Sequence, residues 1–185
     1  VEPWSPIERR AVHAARIFTL YADLLRSPVT GREHAFDVLD VPDWVNVIAL
    51  TDDGRVVTIR QFRAGTRSIT TEIPGGTVDR DETPLEAARR ELEEETGYTS
   101  QDWSEIGRVE PNPAFQDNVT YTFLARNARR TSRQRFDETE LIEVEETPLA
   151  EVPRMVRRGV ISHALVVCAF FHLAAAGLLP LRSSP

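Results

Sequence analysis

The sequence predicts an α+β fold, and three observations predict it. Between Arg16 and Arg63, short apolar runs rich in β-branched residues alternate with turn signals; the stretch ahead of Gly97 has helical spacing; and the C-terminal part reads as helix. The early runs are RIFTLYADLLRS, HAFDVLDV, VNVIAL and VVTIRQFR, which read as consecutive strands. Asp53-Gly54, between two of them, is a hairpin signal because glycine takes the positive φ that tight turns need. A second break of this kind lies at Val29 to Gly31. Ile-Pro-Gly-Gly at 73–76 cannot continue a regular element and forces a turn.

A helix is predicted from Glu82 to Thr96, with Thr83-Pro84 in its first turn and Gly97 at its end, the expected proline-early, glycine-late asymmetry. Leu85, Ala88 and Leu92 form its apolar stripe, with acids expected on the opposite face. Glu91 and Glu95 are one turn apart, with Glu94 beside them. Like charges at that spacing oppose helix formation by roughly 0.2–0.5 kcal/mol per pair, a cost that a bound dication reverses. Strands are expected again at Ile106–Val109, Val119–Ala125 and Leu141–Val144, with loops at 110–118 and 127–139. A short amphipathic helix follows Pro148, and the apolar run from Ala164 to Leu181, interrupted by His172, Gly177 and Pro180, reads as a helix packed on a sheet rather than a membrane span.

The 185 residues suit a single domain, 1–185, in which the first 45 can form a lobe of strands. A net charge of −7 argues against a general nucleic-acid binder, which needs a basic field. All 22 basic residues are arginine, which excludes Schiff-base and P-loop lysine chemistry in this chain. The single Cys168 forms no intrachain disulfide and fits a reducing cytoplasm; VEPWSPIERRAV has charges and prolines where an export signal needs an apolar stretch.

Gly76, Glu82, Arg90, Glu91, Leu92, Glu94, Glu95, Gly97 and Tyr98 match every fixed place of the Nudix box, nine places over 23 residues, and the chain on this ground resembles the Nudix hydrolases. The resemblance implies an α/β/α sandwich on a mixed sheet with an N-terminal antiparallel region. It implies a loop-helix-loop that binds Mg²⁺ or Mn²⁺ and hydrolyses a nucleoside diphosphate linked to another group. By matching position, Glu91 and Glu95 are the principal metal ligands, Glu94 a further ligand or water-mediated contact with a part in catalysis, and the carbonyl near Gly75 another ligand. Arg90 pins Glu94, and Glu82 braces the loop at the helix start. Hard oxygen donors are what Mg²⁺ prefers. Glu86, outside the fixed places, is expected on the surface beside Arg90.

Features outside the box resemble the ADP-ribose and nucleoside-diphosphate-sugar pyrophosphatases. Gln61-Phe62-Arg63 is similar to a Gln-Tyr-Arg whose arginine faces substrate phosphate. Glu72-Ile-Pro-Gly75-Gly76 is similar to a Glu-Leu-Pro-Ala-Gly, where glycine for alanine is expected to matter little. Pro113 falls near a marker proline, although Asn112-Pro-Ala-Phe115 departs from the usual Ser-Pro-Gly. In the acidic segment 137–144 the resemblance puts the base at Glu138 and a metal ligand at Glu140, with Glu143, Glu145 and Glu146 competing. Trp44, Trp4 and Phe115 are the aromatic choices for stacking on a base. The implied partners are a nucleotide-sugar substrate and a second copy of the chain in a homodimer, with neither nucleic acid nor membrane. The rival functions are an ADP-ribose sensor that binds without cleaving and an enzyme that cleanses nucleoside triphosphates.

Overall fold

A computed structural model describes residues 1–135 and 141–180. The chain divides into two compact units, residues 1–43 with 110–119, and residues 44–109 with 120–185. The first unit is built on an antiparallel sheet in the order β1 (Ser5–Ala14), β2 (Thr19–Arg26), β3 (Glu33–Asp40). The β2–β3 hairpin turns where expected, with Gly31 at φ 70° and the Ser27 N–H bonded to the Arg32 carbonyl. Strand β1 has no counterpart among the predicted strands. Every one of its residues is exposed, so it lacks the buried alternation by which a strand is recognised; pairing with β2 alone defines it.

The second unit runs β4 (Trp44–Ala49), β5 (Arg55–Arg63), β6 (Ser68–Glu72), β7 (Gly75–Thr77), α1 (Pro84–Thr96), β8 (Tyr98–Thr99), β9 (Asp102–Val109), β10 (Thr120–Arg126), β11 (Arg129–Arg130), β12 (Ile142–Pro148), α2 (Val152–Arg157) and α3 (Ala164–Ala175). Among the described residues its larger sheets have the orders β7-β4-β10-β9 and β12-β5-β6. The first is mixed: β4 and β10 are parallel, the flanking pairs antiparallel. The turn at Asp53-Gly54 forms, with Gly54 at φ 81°. The strands on either side of it nonetheless enter different sheets and meet only at a Leu50–Val56 bridge, so the turn is a corner between sheets and not the tip of a hairpin.

Side-chain alternation along β4 decides the layering. Val45, Val47 and Ala49 face α1 and pack with Ala87, Ala88, Leu92 and Phe123. Ile48 faces the other way and packs with Leu124, Val166, Ala169, Phe170 and Leu173, the last four from α3. A strand buried on both faces by helices is the α/β/α arrangement the family resemblance implied. No helix among the described residues is long and apolar enough to cross a membrane. The apolar run after Ala164 is helical only as far as Ala175 and contributes Val166, Ala169, Phe170 and Leu173 to this second core.

Candidate active site

Helix α1 begins at a capping box: the Thr83 hydroxyl accepts the Glu86 N–H, and the Glu86 carboxylate accepts the Thr83 N–H. Glu86 therefore closes the cap and does not pair with Arg90, as had been expected. The helix ends at Gly97, φ 74°, where a Cβ would also lie 2.3 Å from the Ser132 carbonyl oxygen. These two ends set which carboxylates turn toward the sheet.

The acids do not share the solvent face. Glu95 lies on the buried side with Ala88 and Leu92, only 6 % exposed. Its carboxylate accepts the Gly75 N–H at 2.9 Å. Glu91, one turn earlier, reaches the next residue of the same strand: a Cβ on Gly76 would fall 2.1 Å from Glu91 Oε1. A side chain at 76 would therefore displace the Glu91 carboxylate from its place against β7. Glycine is required at 75, because a Cβ there would lie 2.2 Å from the Val45 carbonyl oxygen on the neighbouring strand. The expectation that alanine and glycine are equivalent at 75 is therefore wrong; the constraint is the approach of two backbones, which sequence spacing does not reveal.

Arg90 binds more than Glu94. Its guanidinium donates to Glu82 (2.6 and 3.2 Å), Glu91 (2.7 Å), Glu94 (3.2 Å) and the Thr77 carbonyl (3.0 Å). Glu82 also accepts the Asp79 N–H at 2.9 Å, which braces the loop as expected. Its carboxyl is held below the usual range, chiefly by the hydrogen bonds from Arg90. One cation thereby offsets the repulsion among three carboxylates.

The pleat of β5 and β6 assembles a second group. Opposed pairs Ile59–Glu72 and Gln61–Thr70 put Glu72, Thr70, Gln61 and Arg63 on one face. Arg63 grips Glu72 bidentately, with both N–H···O distances at 2.8 Å. Thr70 donates to the same carboxylate at 2.6 Å, and His163 Nδ1, from the start of α3, lies 3.1 Å from it. Burial alone would raise the Glu72 pKa; hydrogen bonds from Arg63 and Thr70, with the His163 imidazole in close contact, outweigh it and hold the carboxyl well below the ordinary range. Because the folded pKa is depressed, this stabilisation is complete above the unfolded pKa, about 4.3, and is lost as pH falls below it. Denaturant melts should show a stability gap between the native protein and Glu72→Gln that narrows as the solution is made more acidic than about pH 4.3. A gap independent of pH would contradict the assignment. Thr70 and His163 are absent from the sequence-based site. Thr70 is two residues before Glu72, a spacing that could have suggested it, whereas nothing local marks His163.

The remaining expected residues are placed as follows. Glu138 and Glu140 lie outside the described residues. Of their competitors, Glu143 and Glu145 sit 2.9 and 3.9 Å from Arg60, and Glu146 hydrogen-bonds the Tyr98 hydroxyl, whose pKa burial and that carboxylate push up to about 12. Trp44 is half-buried in β4 and donates its indole N–H to Asn46. Trp4 packs edge-on against His34 and Phe36 within the first unit, and Phe115, in that unit too, is exposed. Gln134, which had not been singled out, donates to the Glu95 carbonyl at 2.7 Å and the Ile142 carbonyl at 3.3 Å, tying the end of α1 to β12.

The NUDIX domain profile matches residues 42–170. The chain belongs to the Nudix family. This Nudix chain is 30% identical over 168 residues to the ADP-ribose pyrophosphatase of Bacillus subtilis (strain 168), covering 90% of each. It is 31% identical over 166 residues to the GDP-mannose pyrophosphatase of Cronobacter sakazakii (strain ATCC BAA-894), covering 85% and 86%. Its fold superposes on a crystal structure of an ADP compounds hydrolase with a TM-score of 0.84 at 22% identity, covering 97% of this chain and 98% of that one. Nudix hydrolases depend in general on a divalent metal. The donor chemistry here fits such an ion, since Glu91, Glu94 and Glu95 are hard oxygen ligands and Gly76 is kept bare beside Glu91. Among the described residues no three histidine, cysteine or acidic side chains already converge as a metal cluster; Arg90 neutralises Glu82, Glu91 and Glu94 instead.

Proposed function

We propose that the protein hydrolyses the diphosphate linkage of ADP-ribose or a related nucleoside diphosphate sugar, giving a nucleoside monophosphate and a sugar phosphate, with Mg²⁺ or Mn²⁺. The observation that carries this reading is the convergence of Glu95 and Glu91 on adjacent glycines, Gly75 and Gly76. The names of the Bacillus and Cronobacter relatives support the substrate class. A diphosphate resists attack because its oxygens are negative; a bound dication neutralises that charge, orients the phosphates and acidifies water.

The chain's own residues supply position and charge. Glu95 is tied to β7 through the Gly75 N–H, and Glu91 is held beside it by Arg90; these two carboxylates would be the principal metal ligands. Arg90 holds Glu94 and Glu82 in register with them. Arg63, at the end of β5, is the cation we assign to a substrate phosphate, with Gln61 and Glu72 beside it. Trp44 is the candidate to stack on the base, Glu138 the carboxylate that removes a proton from attacking water, and Glu140 a further metal ligand. As water adds to one phosphorus, the bridging oxygen leaves with the other. We read the protein as a cytoplasmic homodimer, with the separate antiparallel sheet as the surface for pairing.

Phosphate-product analysis tests the activity. ADP-ribose, GDP-mannose, UDP-glucose and nucleoside triphosphates are incubated with Mg²⁺, with and without chelator. The expected products are nucleoside monophosphate and sugar phosphate, abolished by chelation. Inorganic pyrophosphate released from triphosphates as the main product, or binding of ADP-ribose without turnover, would overturn the reading.

A further inference from the structure

The Arg63–Glu72 pair has a third member drawn from a distant part of the chain. His163 caps the start of α3, about a hundred residues from the strands that carry the other two. Its Nδ1 is buried 3.1 Å from the Glu72 carboxylate, a polar contact without the alignment of a hydrogen bond. Glu72 itself is 2 % exposed, while the Arg63 side chain is 34 % exposed. The carboxylate thus lies deep, bonded by Thr70 and touched by His163, while the Arg63 side chain that grips it is partly exposed. A bidentate pair fixes the plane of an arginine only as well as its carboxylate is fixed. A carboxylate held by one flexible contact rotates; one held by groups from two elements does not.

We propose that His163 is a positioning residue that, through Glu72, sets the orientation in which Arg63 meets a substrate phosphate. The proposal rests on the phosphate-binding role assigned to Arg63 above. His163 belongs to the α2–α3 junction, whose Ile161 and Val166 are buried in the core beneath the mixed sheet. That packing makes the imidazole a rigid support: its backbone is anchored on both sides by apolar burial. The carboxylate gains a contact that neither β5 nor β6 provides.

The test combines a measurement without substrate and one with it, on the full chain. In ¹⁵N spectra the Arg63 Nε–H, donating to Glu72 at 2.8 Å, should give a slowly exchanging resonance. His163→Ala should broaden it or lose it. His163→Asn, whose side-chain amide can replace the Nδ1 donor, should retain it. With ADP-ribose and Mg²⁺, His163→Ala should raise KM roughly tenfold with kcat within about twofold, the signature of lost ground-state and transition-state binding alike. His163→Asn should restore KM, and His163→Ala should add nothing further in an Arg63→Ala background. An unchanged Arg63 resonance in His163→Ala would overturn the proposal, as would a KM effect that survives in the Arg63→Ala background. If Arg63→Ala keeps the native KM, or ADP-ribose is not turned over, the phosphate reading of Arg63 fails, and the resonance still decides whether His163 positions it.

Discussion

Glu95→Gln should lower kcat by on the order of 10³-fold while shifting the melting temperature by no more than a few degrees. The substitution keeps the volume of a side chain that is 6 % exposed and removes its charge. Glutamine can still accept the Gly75 N–H through its amide oxygen, so the strand–helix contact that positions the loop persists. What is lost is the anionic donor on the buried face of α1. Steady-state kinetics with ADP-ribose and Mg²⁺, set beside thermal melts, make the comparison. Native turnover in a folded variant would remove Glu95 from the ligand set. A collapse of folding would mean that the charge at 95 is structural.

Arg90→Ala should be strongly destabilising for a change at a partly exposed residue. It removes the guanidinium that bridges Glu82, Glu91 and Glu94, the first two only 16 % and 14 % exposed, and it frees the Thr77 carbonyl. Breaking a fully buried ion pair costs about 3–5 kcal/mol; the Arg90 side chain is 31 % exposed, so solvent screening reduces the expectation to about 2–3 kcal/mol. Urea unfolding at pH 7 measures it. Adding Glu82→Gln to Arg90→Ala should recover part of the loss, because one of the repelling charges goes with it. A loss below about 0.5 kcal/mol, the level of an ordinary surface pair, would show that water already screens the cluster.

These expectations concern residues whose types were legible and whose surroundings were not. The box from Gly76 to Tyr98 announced its helix, its caps and the family, since capping chemistry and 3.6-residue spacing are local. Yet the sequence reading put the acids opposite the apolar stripe, and Glu95 proved to be part of the stripe. A carboxylate is buried only when something across the fold satisfies it, and here that is the Gly75 amide, twenty residues away. Gly75 was misjudged for a related reason: its constraint is the Val45 carbonyl on another strand. Strand β1 escaped notice because exposed strands carry no alternation.

By itself the sequence determined the family and the main helix with its ends, because these are properties of spacing and side-chain chemistry within one segment. The tertiary structure alone decided that Asp53-Gly54 joins two sheets, that Arg90 clamps three carboxylates, and that His163 stands behind Glu72. Each of those depends on which strands and helices pack together, and packing is settled by burial summed over the whole core, which no local window contains.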